Sequence, residues 1–494
     1  MANAVCALLD DRIACGDGAR TALVTPSGSA TYDELLALAA RFGHAFRARG
    51  VEPEHRVAIL LPDGLGWAGA FLGALRLGAV AVPLNTRLDA ARWAAMLDDC
   101  RARVLVTDHD HAALLRPFLE GLPRLHVLTP SAADGMATRL EAEPVSDEEM
   151  AFWLYTSGTT GAPKAAVHLH RDCLAGGGYA DGVLGVSPAD RIFSTSALSF
   201  AYALGNALLI PLAHRALTLL QPTPPDPALV AEVLASFSPT LFFSVPTFYA
   251  RLLRAGLPLD TFRSVRLAIS AGERLPAELA VAWRERFGVE VLDGIGATET
   301  IFMVLSNRPG LSRPGSSGTP VPGTEARLLD EEGHEVPDGA EGMLHVSTPS
   351  ASTFYWRRGA ESRRAFAGEW FRTGDVYVRD RDGFYHHRGR ADDRFKVAGM
   401  WVSPADVEGA LLGHPGVADA GVVGAPAAGG LVKAFAFVVA RAGGGAPLVD
   451  ELRELAERRL APHERPREIV LVDELPRTAT GKLQRFVLRE RLGA

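Results

Sequence analysis

Apolar positions along the chain follow two spacings. In "TYDELLALAARFGHAFRARG", residues 31–50, they recur every three to four residues, the period of a helix with one buried face. Thr31 and Glu34 stand where a capping box closes the first turn, and Gly50 follows where a helix stops. "RVAILLP" and "AVAVPLN" are short continuous apolar runs, the mark of strands buried on both faces. Between them "GWAGAFLGALRLG" predicts a helix rich in small residues. Strand, helix, strand predicts a parallel crossover unit. "ARVLVTD" (102–108) and "RLHVLTP" (124–130) repeat the strand type. "TLFFSVPTFYARLL" and "VRLAISAGERLPAELAVAWRERFG" each read strand, loop, helix. The pattern predicts a large N-terminal α/β domain with more than one sheet.

Around residue 390 the texture changes. "GFYHHRGRADDRFKVAGMWVSP" predicts an antiparallel hairpin that carries charge, after which Ser403 and Pro404 cap and start a helix, "PADVEGALLGH". "VADAGVVGA", "VKAFAFVVA" and "REIVLVDEL" read as strands, "LVDELRELAERRL" as an amphipathic helix, and "PRTATGKLQR" as a polar loop. The last hundred or so residues therefore predict a small α+β domain. There is no internal repeat, and "ARAGGGAP" is the one biased segment.

At 494 residues the chain is too long for one core. Net charge is −7 and no basic block stands out, which argues against a nucleic-acid partner. The first twenty residues lack a basic region followed by an apolar run, and no stretch reaches about 18 uninterrupted apolar residues, so neither a signal peptide nor a membrane span is expected. Cys6, Cys15, Cys100 and Cys173 have no disulfide or metal spacing and suit a reducing, cytoplasmic setting. Four of the 51 basic side chains are lysines: Lys164, Lys396, Lys433 and Lys482. Where arginine is so favoured, the surviving lysines are worth locating, because a site that needs a compact, rotatable ammonium cannot accept a planar guanidinium, although a single survivor can also be accidental.

Lys164 closes "YTSGTTGAPK" (155–164). Successive glycines let backbone N–H groups turn toward one anion, hydroxyls add donors, and the ammonium adds a point charge, which together suit a polyphosphate. The spacing is not that of the common nucleotide loop, Gly-x-x-x-x-Gly-Lys-Ser/Thr. Taken alone, the segment suits a polyphosphate better than the alternative, a glycine-rich surface hairpin.

"YTSGTTGAPK", "DGIGATE" (293–299), "FRTGD" (371–375), "GRADD" (389–393) and "PRTATGKLQR" (476–485) occur in this order across the chain. Together they resemble the adenylate-forming superfamily of acyl-CoA synthetases, carrier-protein adenylation domains and luciferases. "LSFAYALGN", "VPTFYARLL", "SAGERLP", "VLDGIGATE", "YWRRG" and "TATGKLQRF" narrow the resemblance to benzoate-CoA ligases and related aryl-CoA ligases. The resemblance implies an ATP- and aryl-acid-binding domain over residues 1–391 and a mobile C-terminal domain over 392–494, with Asp392 as the hinge that absorbs the backbone rotation.

The same resemblance implies a role for each motif. Thr156, Ser157, Gly158, Thr159, Thr160, Gly161 and Lys164 would hold the β- and γ-phosphates of ATP. Glu299 would bind Mg²⁺, a hard cation that takes carboxylate oxygen, and Thr298 would bond the α-phosphate. Gly272, Glu273, Asp293, Gly294 and Ile295 would face the nucleotide, and Asp375, with Arg390 nearby, the ribose hydroxyls. Lys482 would bridge the substrate carboxylate and the α-phosphate, stabilising charge in the transition state with no covalent nucleophile needed. Lys396, Gly399 and Lys433 would serve the CoA half-reaction. The histidine pairs at 168/170 and 386/387 are expected to be structural and at the surface respectively.

Phe200, Ala201, Tyr202, Ala271, Gly296, Phe302 and Met303 would wall a flat slot that suits an aryl ring better than a long acyl chain. The chain departs from the pattern twice. Benzoate-type enzymes tend to have histidine where Phe302 aligns, and the usual Pro-Lys-Gly is Pro-Lys-Ala, with Ala165. Ser199 beside the slot makes an ortho-amino or ortho-hydroxy benzoate plausible. The expected reaction joins a small aromatic acid to CoA at the expense of ATP. The alternatives are an aryl-acid loader for a carrier-protein thiol and a non-catalytic nucleotide-binding relative, against which intact Lys482, Glu299 and Asp375 argue. A homodimer is the base expectation for a self-associating chain.

Overall fold

The computed structural model describes residues 3–157, 163–427, 431–441, 446–477 and 483–492. The chain folds as two compact units, residues 1–326 with 346–372, and residues 327–345 with 373–494.

In the first unit the strand Arg56–Leu60 lies between Val80–Pro83 and Val104–Thr107 and is parallel to both. The helix Leu65–Arg76 makes the predicted crossover. Val80–Pro83 and Val104–Thr107 are buried at every position, which is why they read as unbroken apolar runs. The helix Tyr32–Arg47 packs on Leu65–Arg76 and opens with the expected capping box between Thr31 and Glu34. The small residues of the second helix are required here. A Cβ on Gly73 would sit 2.7 Å from the Ala39 carbonyl oxygen and 2.8 Å from Phe42 Cβ.

These strands belong to a seven-stranded sheet that continues into the antiparallel hairpin Met150–Ser157/Pro163–Leu169 and ends at Phe354–Tyr355. A nine-stranded sheet holds Leu241–Ser244, Leu267–Ser270 and Val291–Gly296 side by side and parallel. Open α/β sheets bind ligands beyond the carboxyl ends of such strands, and here those ends lead into Ala271–Glu273 and Ala297–Phe302. The helix Ala277–Phe287 is anchored by Trp283, fully buried with Tyr249, Phe262 and Phe287 each 4.7 Å away, centroid to centroid, in a cluster that includes Phe242 and Ala268 of this sheet.

The second unit contains the predicted α+β elements. Val417–Pro426 and Val432–Ala440 pair antiparallel, and Glu468–Leu471 joins them in parallel. The helices Pro404–Leu412 and Ala446–Arg459 pack together beside this sheet around Val407, Leu411, Val422 and Leu452. Ser403 Oγ accepts from the Asp406 N–H, and Pro404 takes the first helical position, as the sequence predicts. Phe395–Val397 and Met400–Val402 form a short hairpin. Among the described residues no helix is long and apolar enough to cross a membrane, and all four cysteines are free.

Candidate active site

The hairpin Met150–Ser157/Pro163–Leu169 places Thr156 directly across from Lys164 at the base of the predicted phosphate loop. Gly158, Thr159, Thr160 and Gly161 lie outside the described residues, as do the Ser157 side chain and Lys482. Lys164 Nζ stands 4.2 Å from the centre of the Tyr355 ring, within cation–π range. The Tyr355 hydroxyl donates to Glu299 Oε1 at 2.6 Å, and both residues are buried. Lys164 and Glu299 are therefore joined through one tyrosine. "YWRRG" had signalled only the resemblance, and nothing in its local pattern marks Tyr355 as a partner of either group.

Glu299 follows Thr298 just beyond the strand Val291–Gly296, which turns back antiparallel into Met303–Ser306. The reversal is tight. The Phe302 N–H donates to the Thr300 carbonyl at 2.6 Å, and Ile301 between them has φ +58°, a costly conformation for a β-branched residue. Such outliers concentrate at functional sites. Gly294 and Gly296 have a packing reason that the local sequence does not display. A Cβ on either would meet a carbonyl oxygen of the returning chain, Leu305 or Phe302, at 2.7 Å. Gly272 has φ +91°, which favours glycine for its own backbone.

Asp293 is buried in the middle of the same strand, and Oδ1 has no hydrogen-bond partner among the described residues. Burial pushes its carboxyl well above the usual carboxylate range, against the pull of the Leu275 and Gly294 backbone N–H groups. Ile295 and Glu273 are half-buried.

The expected aryl walls come from two directions. Ala201 and Tyr202 open a helical run to His214, and the Tyr202 hydroxyl donates to the Ile269 and Ser244 carbonyls at 3.0 and 3.2 Å, so the ring is held by its tip. Phe200 precedes that run, and both Asp63 carboxylate oxygens accept from the Leu198 N–H just before it, at 3.1 and 3.0 Å. Ala271, Phe302 and Met303 are buried in the main core of the unit. The Phe302 ring fits against two glycines: a Cβ on Gly176 would come within 2.8 Å of it, and one on Gly205 within 3.0 Å. Phe302 and Met303 also line a cavity of about 350 Å³ with Tyr179, Pro322 and Ser350.

In the second unit Asp375 pairs across the antiparallel strands with Arg390. Its Oδ2 accepts from Arg390 Nη1 at 3.1 Å and its Oδ1 lies 3.2 Å from His387 Nε2. Gly374 has φ +80°, and a Cβ there would stand 2.8 Å from the Arg390 guanidinium, so the turn in "TGD" brings the ion pair together. His387 had been expected at the surface. It is half-buried against a predicted site residue, because the turn at 380–384 sets the register that carries it back beside Asp375. Asp392 is exposed within a short turn, Ala391–Asp393. Lys396 is exposed with Nζ 4.6 Å from the Trp401 ring centre, Gly399 lies at the hairpin tip with φ +83°, and Lys433 is half-buried across from Ala425.

Comparison with known proteins identifies the family. The model of the AMP-binding enzyme family matches residues 11–356, and that of the AMP-binding enzyme C-terminal domain matches residues 406–482. The chain belongs to the AMP-binding enzyme family. It is 41% identical to the benzoate–CoA ligase of Thauera aromatica, over 99% of this chain and 95% of that one. It is 36% identical to the anthranilate–CoA ligase of Pseudomonas aeruginosa, over 90% and 88%. Among solved structures it superposes with TM-score 0.92 on the anthranilate CoA ligase AuaEII in complex with anthranoyl-AMP, at 37% identity over 99% of this chain and 96% of that one.

Proposed function

We propose that the protein is an ATP-dependent aryl-CoA ligase. It adenylates a small aromatic carboxylate, benzoate or an ortho-substituted benzoate such as 2-aminobenzoate, and transfers the acyl group to CoA with release of AMP and pyrophosphate. The observation that carries this reading is the Lys164–Tyr355–Glu299 connection. It links the cation of the phosphate loop, through one side chain, to a buried carboxylate beyond the carboxyl end of a parallel strand. The substrates named for the benzoate– and anthranilate–CoA ligase relatives support the choice of acid.

In this scheme Lys164, with Thr156–Gly161, takes the β- and γ-phosphates, and Thr298 donates to the α-phosphate. Lys482 neutralises charge as the aryl carboxylate attacks phosphorus, so positioning and electrostatics supply the rate. Asp375, oriented by Arg390 and His387, receives the ribose hydroxyls. Phe200, Ala201, Tyr202, Ala271, Gly296, Phe302 and Met303 hold the ring. Among the described residues no three His, Cys, Asp or Glu side chains cluster as a metal cage. One buried carboxylate, Glu299, fits Mg²⁺, which binds through one or two carboxylates together with substrate phosphates. Bound there, Mg²⁺ would offset phosphate charge. Residues 392–494 would turn about Asp392 to present first Lys482 and then Lys396, Gly399 and Lys433 for thioester formation. Four free cysteines suit a cytoplasmic setting.

Mass spectrometry of products tests the proposal. The protein is incubated with ATP, Mg²⁺ and CoA and a panel of benzoate, 2-aminobenzoate, hydroxybenzoates, cinnamate and a medium-chain fatty acid. One aryl-CoA product is expected. Aryl-adenylate without the CoA ester would replace the ligase by a carrier-protein loader, and no product with any acid would remove the function.

A further inference from the structure

We propose that His168 is a positioning residue that straps the Thr298–Glu299 peptide to the strand carrying Lys164. The inference rests on the reading of Thr298 and Glu299 as the phosphate- and metal-facing groups. Side chains alternate along Pro163–Leu169, so Lys164 and His168 share one face. Both reach the same short segment. Lys164 does so through Tyr355, whose hydroxyl holds the Glu299 carboxylate. His168 does so directly, with Nε2 2.9 Å from the Thr298 carbonyl oxygen, 130 residues away in the chain.

That carbonyl belongs to the peptide unit joining Thr298 to Glu299. The next carbonyl, that of Glu299, accepts from the Ser352 N–H at 2.7 Å, and Ser352 Oγ donates to the Val167 carbonyl at 2.8 Å. Two consecutive peptide units are thus tied to neighbouring residues of one strand.

The imidazole itself is held on three sides. It stacks on Phe152, centroids 5.0 Å apart and planes 17° from parallel. Its Nδ1 lies 3.2 Å from Asp172 Oδ2, which also accepts from the Leu169 N–H at 3.0 Å. A carbonyl can only accept, so Nε2 carries a hydrogen and the ring has one useful orientation. The side chains of His168 and Asp172 are both 0% exposed. A phenylalanine would fill the same slab beside Phe152 without the desolvation penalty of a buried imidazole. What it would lack is the donor to Thr298. The strap makes the base of the phosphate loop and the Glu299 carboxylate move as one body, which matters because an error of about 1 Å in reacting groups can cost about a hundredfold in rate.

The test compares His168→Phe, which keeps the stacking and removes the donor, with His168→Gln, which keeps an N–H at similar reach. Circular dichroism checks each fold. Pyrophosphate release is measured against ATP, Mg²⁺ and aryl acid. His168→Phe is expected to lower kcat for adenylation at least tenfold and raise the Mg²⁺ needed for half-maximal rate several-fold, with KM for the acid within twofold. His168→Gln is expected to recover threefold or more of the lost kcat. Asp172→Leu, which leaves the ring without its orienting partner, is expected to reproduce the His168→Phe pattern and carries the comparison if His168→Phe does not fold. Wild-type kcat and Mg²⁺ dependence in a folded His168→Phe, or equal losses in the Phe and Gln variants, would overturn the assignment. If the wild-type chain forms no adenylate with any acid, the function fails separately. Calorimetry of Mg·ATP binding then reads the strap: weaker binding in His168→Phe upholds it and equal binding overturns it.

Discussion

Tyr355 shows how much one side chain can be asked to do. Its ring face meets the Lys164 ammonium and its hydroxyl meets the Glu299 carboxylate. A short O–H···O⁻ bond of this kind is about twice as strong as a neutral one, and losing it leaves a buried carboxylate oxygen short of a donor at about 1–3 kcal/mol. Tyr355→Phe is expected to cut kcat for adenylation about tenfold, equivalent to about 1.4 kcal/mol, while the retained ring keeps KM for ATP within about twofold. Tyr355→Leu removes the cation–π contact as well and is expected to raise KM for ATP further. Steady-state pyrophosphate release reads both, and identical kinetics in the Phe and Leu variants would refute separate roles for ring and hydroxyl. Residues of this sort mark the limit of what sequence can show. Glu299 and Lys164 are legible because glycines, hydroxyls and charges cluster around them locally. Tyr355 and His168 act across 56 and 130 residues, and only tertiary structure sets such distances. Phe302 and Met303 read as pocket walls, and they are also part of the main core, because an apolar side chain looks the same in either role.

At the scale of elements, local signals carried further. The Thr31–Glu34 capping box, the Pro404 helix start and the parallel strands all rest on short-range chemistry that the chain displays openly. The tie between the helix Arg485–Arg491 and the rest of the second unit has no such signal. Arg485 forms two bonds to Glu408, at 2.7 and 2.8 Å, and one to Asp393 at 3.1 Å, next to the proposed hinge. Burial raises the Glu408 carboxyl above its ordinary value, and the Arg485 charge works against that rise. Arg485→Ala removes the compensation and is expected to destabilise the second unit by about 3–5 kcal/mol, the usual result of stranding a buried charge. The sign of the pH dependence follows. A carboxyl whose folded pKa lies above its unfolded value binds more protons when folded, so its contribution to stability falls as pH rises through the folded value. Without Arg485 the folded value rises further, so the variant's deficit should be larger at pH 8 than at pH 5. Thermal unfolding at the two pH values checks this, and a deficit independent of pH would count against an unpaired Glu408.

For the whole molecule the proposed scheme divides labour between half-reactions. Lys482→Ala is expected to lower adenylation by orders of magnitude and to spare thioester formation from supplied aryl-adenylate, and equal losses in both steps would refute the division. The fold class, a large α/β domain followed by a small α+β domain, was legible in the order of elements along the chain. The limits of the two compact units were not, because residues 327–345 join the second unit from far upstream. The tryptophans offer a way to watch that unit. Six of the seven lie in the first unit. Trp401 is the exception, 43% exposed on its hairpin, with Lys396 Nζ 4.6 Å and the Arg394 guanidinium 5.5 Å from its ring. The pair of cations should draw iodide toward this indole and repel caesium, so its emission should be quenched selectively by the anion and that selectivity should vanish in Trp401→Phe. The protein thus has its own optical reporter, and titrating ATP, aryl acid and CoA against the iodide-sensitive fraction would follow the second unit through the reaction without an added dye.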